Sequence, residues 1–313
     1  MKTSIIFILF VSLLFVGCDK VKHPDTRPPV IPHCVDSSTM VVKTKSSSAR
    51  NVLLEDFTGH TCINCPRAAE AAESLTPKAN IIIIANHVST TFAAPQSYND
   101  PGNDTIYKED FRNDASTTWD QISLGGFGMS SAGLPKGFVN RVGGPQNYST
   151  WSGLVATALA KPWSAKLDLT TSYDTVSHYT NVKVKTTFKT AWPNDVNLVV
   201  LFTQDSIVSD QKDGSPPPGA IMDPNGGSRR LHYRFDNIVI ESFNGAWGEL
   251  VKTSPAVNDT VTRSYGCFLV NKCFFTSATK PNVCVKDKYV NVVAFLYDIA
   301  TKEVLQAEKL RIR

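Results

Sequence analysis

The chain of 313 residues carries 32 Lys and Arg against 28 Asp and Glu, a formal net charge of +4, with the basic residues scattered along its length. That balance excludes the electrostatic footprint of a nucleic-acid binder. A helical membrane span takes roughly 20 apolar residues, and no run beyond the N-terminus reaches that length, so the folded part is expected to sit in water.

Met1-Lys-Thr-Ser precedes an apolar run from Ile5 to Val16, which stops at Gly17-Cys18 with Asp19 and Lys20 directly behind. A positive charge ahead of a short apolar stretch is the pattern of an export signal, here residues 1–17. Gly17-Cys18 resembles the lipobox of bacterial lipoproteins, although Phe15 replaces the usual leucine. The resemblance implies acylation of Cys18 and attachment to a membrane through that lipid; the alternative is a secreted chain with a stray cysteine. Residues 18–48 hold Pro24, Pro28, Pro29, Pro32 and Ser46-Ser47-Ser48, and are read as a semi-extended tether. Roughly 265 residues remain, enough for two domains.

Apart from Cys18 there are six cysteines: Cys34, Cys62, Cys65, Cys267, Cys273 and Cys284. An even number in an exported chain suggests disulfides. With Cys62 and Cys65 taken as one Cys-x-x-Cys pair, the other four are structural disulfide candidates with three connectivities open.

The first domain is expected over residues 49–163. Val52 to Phe57 reads as a buried strand, Cys62-Ile-Asn-Cys65 as the turn after it, and Ala68 to Leu75 as a helix. A helix N-terminus stabilises an anion, and thiolate is the reactive form of cysteine, so Cys62 is read as the attacking sulfur and Cys65 as the resolving one. This segment looks like the active-site region of the thioredoxin superfamily, in which Asp-Phe stands just ahead of Cys-x-x-Cys, as Asp56-Phe57 does here. The resemblance implies that Asp56 accepts the proton of Cys65. It also implies that Gly133-Leu134-Pro135-Lys136 carries the family's cis-proline, with Pro135 beside Cys62. Thr61, Ile63-Asn64 and Pro66 depart from the usual redox-active pattern. A structural disulfide is the alternative, and a metal site built from His60, Cys62, Cys65 and His87 is a third reading. Nothing in the sequence calls for a cofactor. From His87 to Gly126 runs an Asn-, Asp-, Ser- and Thr-rich insertion, read either as a lid or partner surface or as a plain loop.

Residues 164–313 alternate in polarity. Seven runs, beginning near Lys166, Val182, Val196, Ile238, Thr260, Val290 and Val304, suggest an antiparallel β-sandwich used for binding or scaffolding. Hydrolytic motifs and phosphate-binding glycine loops are absent. The segment Gln211 to Arg230, with Ser215-Pro-Pro-Pro-Gly and Arg229-Arg230, is either a binding loop or a solvated one.

Over most of its mature length the chain resembles the Omp-twenty-eight family of outer-membrane lipoproteins of Gram-negative bacteria. The resemblance rests on Leu53-Leu-Glu-Asp-Phe-Thr-Gly with Cys62-x-x-Cys65-Pro66, on Phe138-Val-Asn-Arg141, on Gly245-Ala-Trp247-Gly248, and on Val292-Val-Ala-Phe-Leu-Tyr-Asp with Val304-Leu-Gln-Ala-Glu. Phe235-Asp-Asn-Ile-Val-Ile stands where that family has a histidine-rich segment. The resemblance implies an outer-membrane location, on the periplasmic or the cell-surface side. The expected architecture is an α/β thioredoxin-like domain followed by an all-β sandwich. Two functions are open: thiol–disulfide exchange with cell-envelope thiol proteins, or non-catalytic binding of an extracellular ligand, as in an adhesin.

Overall fold

Val52–Thr58 is buried along its entire length, so it must lie inside a sheet with both faces covered. It runs parallel to Ile81–His87, Val52 opposite Ile81 and Thr58 opposite His87, and antiparallel to Lys136–Val139 on its other side. Parallel neighbours need a crossover, and this one contains the helix Cys65–Ser74, with Pro66 in its first turn where a missing N–H costs nothing. Ala68 and Ala72 of that helix, together with Trp151 and Val155 of the helix Trp151–Leu159, cover one face of the strands at Val52 and Leu54.

The computed structural model describes residues 39–96, 98–99, 105–215, 221–223, 226–269, 273–275 and 282–313. The export signal, Cys18, Cys34, residues 19–38 of the tether, and residues 216–220 and 224–225 of the proline-containing loop lie outside the described residues. The described residues all belong to the unit Val35–Arg313.

The chain is β-rich with several sheets. The main sheet has eight strands in the order Val304–Arg311, Val290–Asp298, Val196–Gln204, Ile238–Ser242, Ile81–His87, Val52–Thr58 and Lys136–Val139, with Glu249–Lys252 also paired to Val196–Gln204. Strands from both sides of the expected boundary at residues 163 and 164 therefore share one sheet. Ile238–Ser242 makes the join, antiparallel to Val196–Gln204 and parallel to Ile81–His87 through Ile238 opposite Ala85.

All seven alternating runs form strands, but only three of them, Ala165–Asp174, Tyr179–Phe188 and Thr260–Phe268, stand in a separate antiparallel sheet. The fourth strand of that sheet is Met40–Ser46, a segment expected in the tether. Its Val41, Val42 and Thr44 are β-formers, and pairing with Ala165–Asp174 satisfies its backbone. This smaller sheet packs Leu167, Leu169 and Val184 into one core with Leu198, Val200 and Val292 of the main sheet. The opposite face of the main sheet is closed by Trp119, from the helix Asp114–Asp120, and by Met129. Much of the expected 87–126 loop is thus core, because Tyr107, Phe111 and Trp119 bury their rings. No helix among the described residues is long and apolar enough to cross a membrane.

Candidate active site at the Cys62–Cys65 disulfide

The strand Val52–Thr58 ends where the cysteine loop begins. Gly59 is required there, since a Cβ would fall 2.3 Å from the Phe92 carbonyl oxygen, and Thr61 donates its N–H to that same oxygen. Cys62 N–H bonds the Gly59 carbonyl, Cys65 N–H bonds the Cys62 carbonyl, and the helix starts at Cys65. Cys62 and Cys65 form a disulfide with Cα atoms 5.4 Å apart, and each residue is only 2% exposed.

Asp56, on the strand Val52–Thr58, lines one cleft with Cys65. Its side chain is buried, and its Oδ1 has no protein hydrogen-bond partner. Burial without a compensating charge disfavours the carboxylate, and raises the group to about 7. Leu134–Pro135 is a cis peptide, and Pro135, buried, lies one residue beyond the pairing of Lys136 with Phe57. The cysteines, Asp56 and the cis-proline are therefore gathered at one end of the parallel strands.

His60 and His87 are also buried here, among aromatic rings. His60 lies 6.0 Å from the Tyr107 ring and 5.8 Å from Phe111, while His87 lies 5.1 Å from Phe111 and 5.7 Å from Phe235. Their ring nitrogens make no well-aligned hydrogen bond, although the backbone at Tyr107 and Ala94 for His60, and at Ala85 for His87, partly favours the protonated forms. Burial lowers His60 to about 4 and His87 to about 3, with the neighbouring His60 lowering His87 further. Among the described residues no group of three or more His, Cys, Asp or Glu side chains is placed to hold a metal ion.

A feature that sequence reading missed is the covering of the cysteine loop. The strand Ile207–Asp213 pairs with Ser228–Phe235, and this hairpin is bonded to the loop. Lys212 N–H donates to the His60 carbonyl at 2.8 Å, Gly214 N–H to the Ile63 carbonyl at 2.8 Å, and Gln211 Nε2 to the Cys62 carbonyl at 3.1 Å. Asp213, buried, accepts from both Arg67 and Arg230, and Arg230 also pairs with Glu70. Part of the expected 211–230 loop is therefore a clamp. The apolar Ile63 inside the Cys-x-x-Cys turn was its one sequence signal, since its side chain lies near Gly214 and Gly227.

A second polar centre lies on the other face of the same strand. Glu55 accepts from Arg141 Nε at 2.7 Å and Nη2 at 3.0 Å, and both side chains are fully buried. The guanidinium is ringed by Trp119, Phe127, Trp247, Phe295 and Tyr297, at 4.8–5.6 Å from their centroids. Four scattered sequence motifs, at Glu55, Arg141, Trp247 and Phe295 with Tyr297, meet in this cage.

Of the remaining cysteines, Cys273 and Cys284 are bonded to each other and Cys267 is a free thiol. Burial, and secondarily Glu241, push Cys267 up to about 11, so it is a poor nucleophile at neutral pH.

No family description and no curated protein matches the sequence. Among solved structures, HBP35 of Porphyromonas gingivalis is similar over 86% of this chain and 77% of its own, at 16% identity and a TM-score of 0.52. A protein of Agrobacterium tumefaciens follows, with 13% identity over 85% of this chain and 96% of its own and a TM-score of 0.45. A domain of the outer membrane lipoprotein Omp28 from Porphyromonas gingivalis is 15% identical over 45% of this chain and 82% of its own, at a TM-score of 0.27. At these identities the likeness to HBP35 concerns the fold, and the other two are too distant to carry an argument. Fold and site together define a β-rich protein built around a buried disulfide.

Proposed function

We propose that this chain is an exported lipoprotein of the bacterial outer membrane, attached through Cys18, whose thioredoxin-like region exchanges disulfides at Cys62 and Cys65. The observation that carries the reading is Asp56, a buried carboxyl raised to about 7, with an oxygen lacking any protein partner, lining the same cleft as Cys65. A carboxylate held there can take the proton of an incoming or departing thiol, while the start of the Cys65–Ser74 helix favours thiolate nearby. The parallel strands with their helical crossover, and the cis-proline beside them, are the parts a thioredoxin-like fold uses. The membrane location rests on the sequence of residues 1–18.

In a direct test, the reduced protein is mixed with a small model disulfide and thiol release is followed. Release of two thiols per protein is expected, falling to one in Cys62→Ser and in Cys65→Ser, where the mixed disulfide has no second cysteine to resolve it, and slowing in Asp56→Asn. Release no faster than from free cysteine would remove the proposal.

The near-complete burial of both cysteines favours a second reading, a non-catalytic binding protein with a structural disulfide. Under it, the same serine variants lose stability and there is no exchange to lose.

A further inference from the structure

The two sulfurs are not equivalent in their surroundings. Cys62 is enclosed on the hairpin side: Gln211 holds its carbonyl, and the Lys212 and Gly214 amides bond the loop on either side of it. Cys65 instead lines a cleft of about 170 Å³ between the Cys65–Ser74 helix and the segment around Tyr233 to Asn237. Cys62 is not among the residues lining that cleft. Its lining also holds His87 and Asp56, and Asp56 presents a buried oxygen without a protein hydrogen-bond partner. Orphaned polar groups of this kind cost free energy unless something occupies the space before them.

Relying on the reading of the disulfide as exchange-active, we propose that a low-molecular-weight thiol enters this cleft and attacks Sγ of Cys65, not Sγ of Cys62. The Asp56 carboxylate takes the proton of the thiol, and the resulting thiolate forms a bond to Cys65 Sγ. The Cys62–Cys65 bond breaks, and Cys62 leaves as a thiolate. A second molecule of the thiol then attacks the mixed disulfide, releasing a small disulfide and leaving Cys65 reduced, so that two thiols are oxidised for each protein disulfide reduced. This reverses the roles that chain order suggests.

The size of the cleft selects against protein thiols, because Cys65, a residue only 2% exposed, lies below the reach of a cysteine on a folded surface. Its charge selects too. Asp56, Glu70, Glu73 and Asp236 line the cleft; Arg230 pairs with Glu70 and Arg234 with Asp236, which leaves Glu73 and Asp56 as its acids without an ion pair among the described residues, so an uncharged or cationic thiol is favoured over an anionic one.

The test uses the oxidised full-length protein and cysteamine, with thioglycolate as the anionic comparison. The reaction is quenched by alkylation at early times, and the site of the mixed disulfide is read by peptide mapping. Cysteamine on Cys65 with alkylated Cys62, and reduction at least tenfold slower with thioglycolate after each thiol's rate is divided by its own rate with a small disulfide in free solution, are expected. Because a quenched intermediate can be short-lived, the single-thiol variants supply a second measurement. Cys65 in Cys62→Ser should form an adduct with cystamine at least tenfold faster than Cys62 in Cys65→Ser. An adduct on Cys62, or a faster Cys62 thiol, overturns the inference and leaves exchange at the pair standing. A folded protein whose disulfide no thiol reduces overturns both.

Discussion

Glu55 and Asp56 are adjacent carboxylic acids on one buried strand, yet they meet opposite fates. Alternation sends their side chains to opposite faces of the sheet. Glu55 finds the Arg141 fork and a ring of aromatics, whereas Asp56 has an oxygen without a protein partner. The first centre ties together elements from both halves of the chain, including Trp247 and Tyr297. The second leaves its burial cost uncompensated at the place where the disulfide sits. A protein can keep such an unsatisfied group only if the rest of the fold holds it there.

The comparison breaks most visibly at Arg141. Arg141→Met strands Glu55 as a buried, unpaired acid and should cost about 3–5 kcal/mol, read as a lower denaturant midpoint. Adding Glu55→Gln should recover part of that loss, whereas two independent sites would show simple additivity.

Asp56 should behave in the opposite sense. Its folded value of about 7 lies above the ordinary 3.8, so its contribution to stability is present below pH 4 and is lost as pH rises through 7. Asp56→Asn should accordingly change little at pH 4 and raise stability at pH 8 by about 3–4 kcal/mol. A loss at pH 8 would mean that Asp56 is satisfied in a way its surroundings do not indicate.

The buried histidines give a third, smaller handle. Their folded values of about 4 and 3 lie below the ordinary 6.5, so the unfolded chain takes up protons that the folded chain refuses. Their contribution is complete above pH 6.5 and is lost as pH falls toward 4. His87→Phe should remove about 2–3 kcal/mol of the stability change between pH 6.5 and 4.5, measured as a flatter dependence of the denaturation midpoint on pH. The smallest effect is expected at Lys302, which stacks at 4.7 Å on Trp247 at the edge of the cage. Lys302→Gln should cost about 0.5–1 kcal/mol.

Much of this site was legible in the sequence. Asp56-Phe57 and Cys62-x-x-Cys65 carry a local pattern of strand, turn and helix, which spacing reports; the cis-proline at Pro135 came only from the family resemblance. The seven alternating runs were also readable as strands. Their partnership was not, because pairing between Ile238 and Ala85 joins residues far apart in sequence. A signal was nonetheless present: Val196-Asn-Leu-Val-Val-Leu-Phe and Val292-Val-Ala-Phe-Leu are nearly continuous apolar runs, and such runs belong to strands buried on both faces rather than to a sandwich with one wet face. The Glu55–Arg141 pair lay inside two of the quoted motifs, but nothing in their spacing says that they touch. The hairpin clamp depends on Gln211 and Gly214 reaching main-chain carbonyls, which leaves almost no trace in side-chain pattern.

The reduction potential of the Cys62–Cys65 pair in the purified protein tests the central claim most directly. A disulfide that shares a cleft with an uncompensated acid and serves exchange should fall between about −120 and −270 mV, the range of known oxidoreductases. A value below about −300 mV would make the bridge an inert staple and would contradict the account.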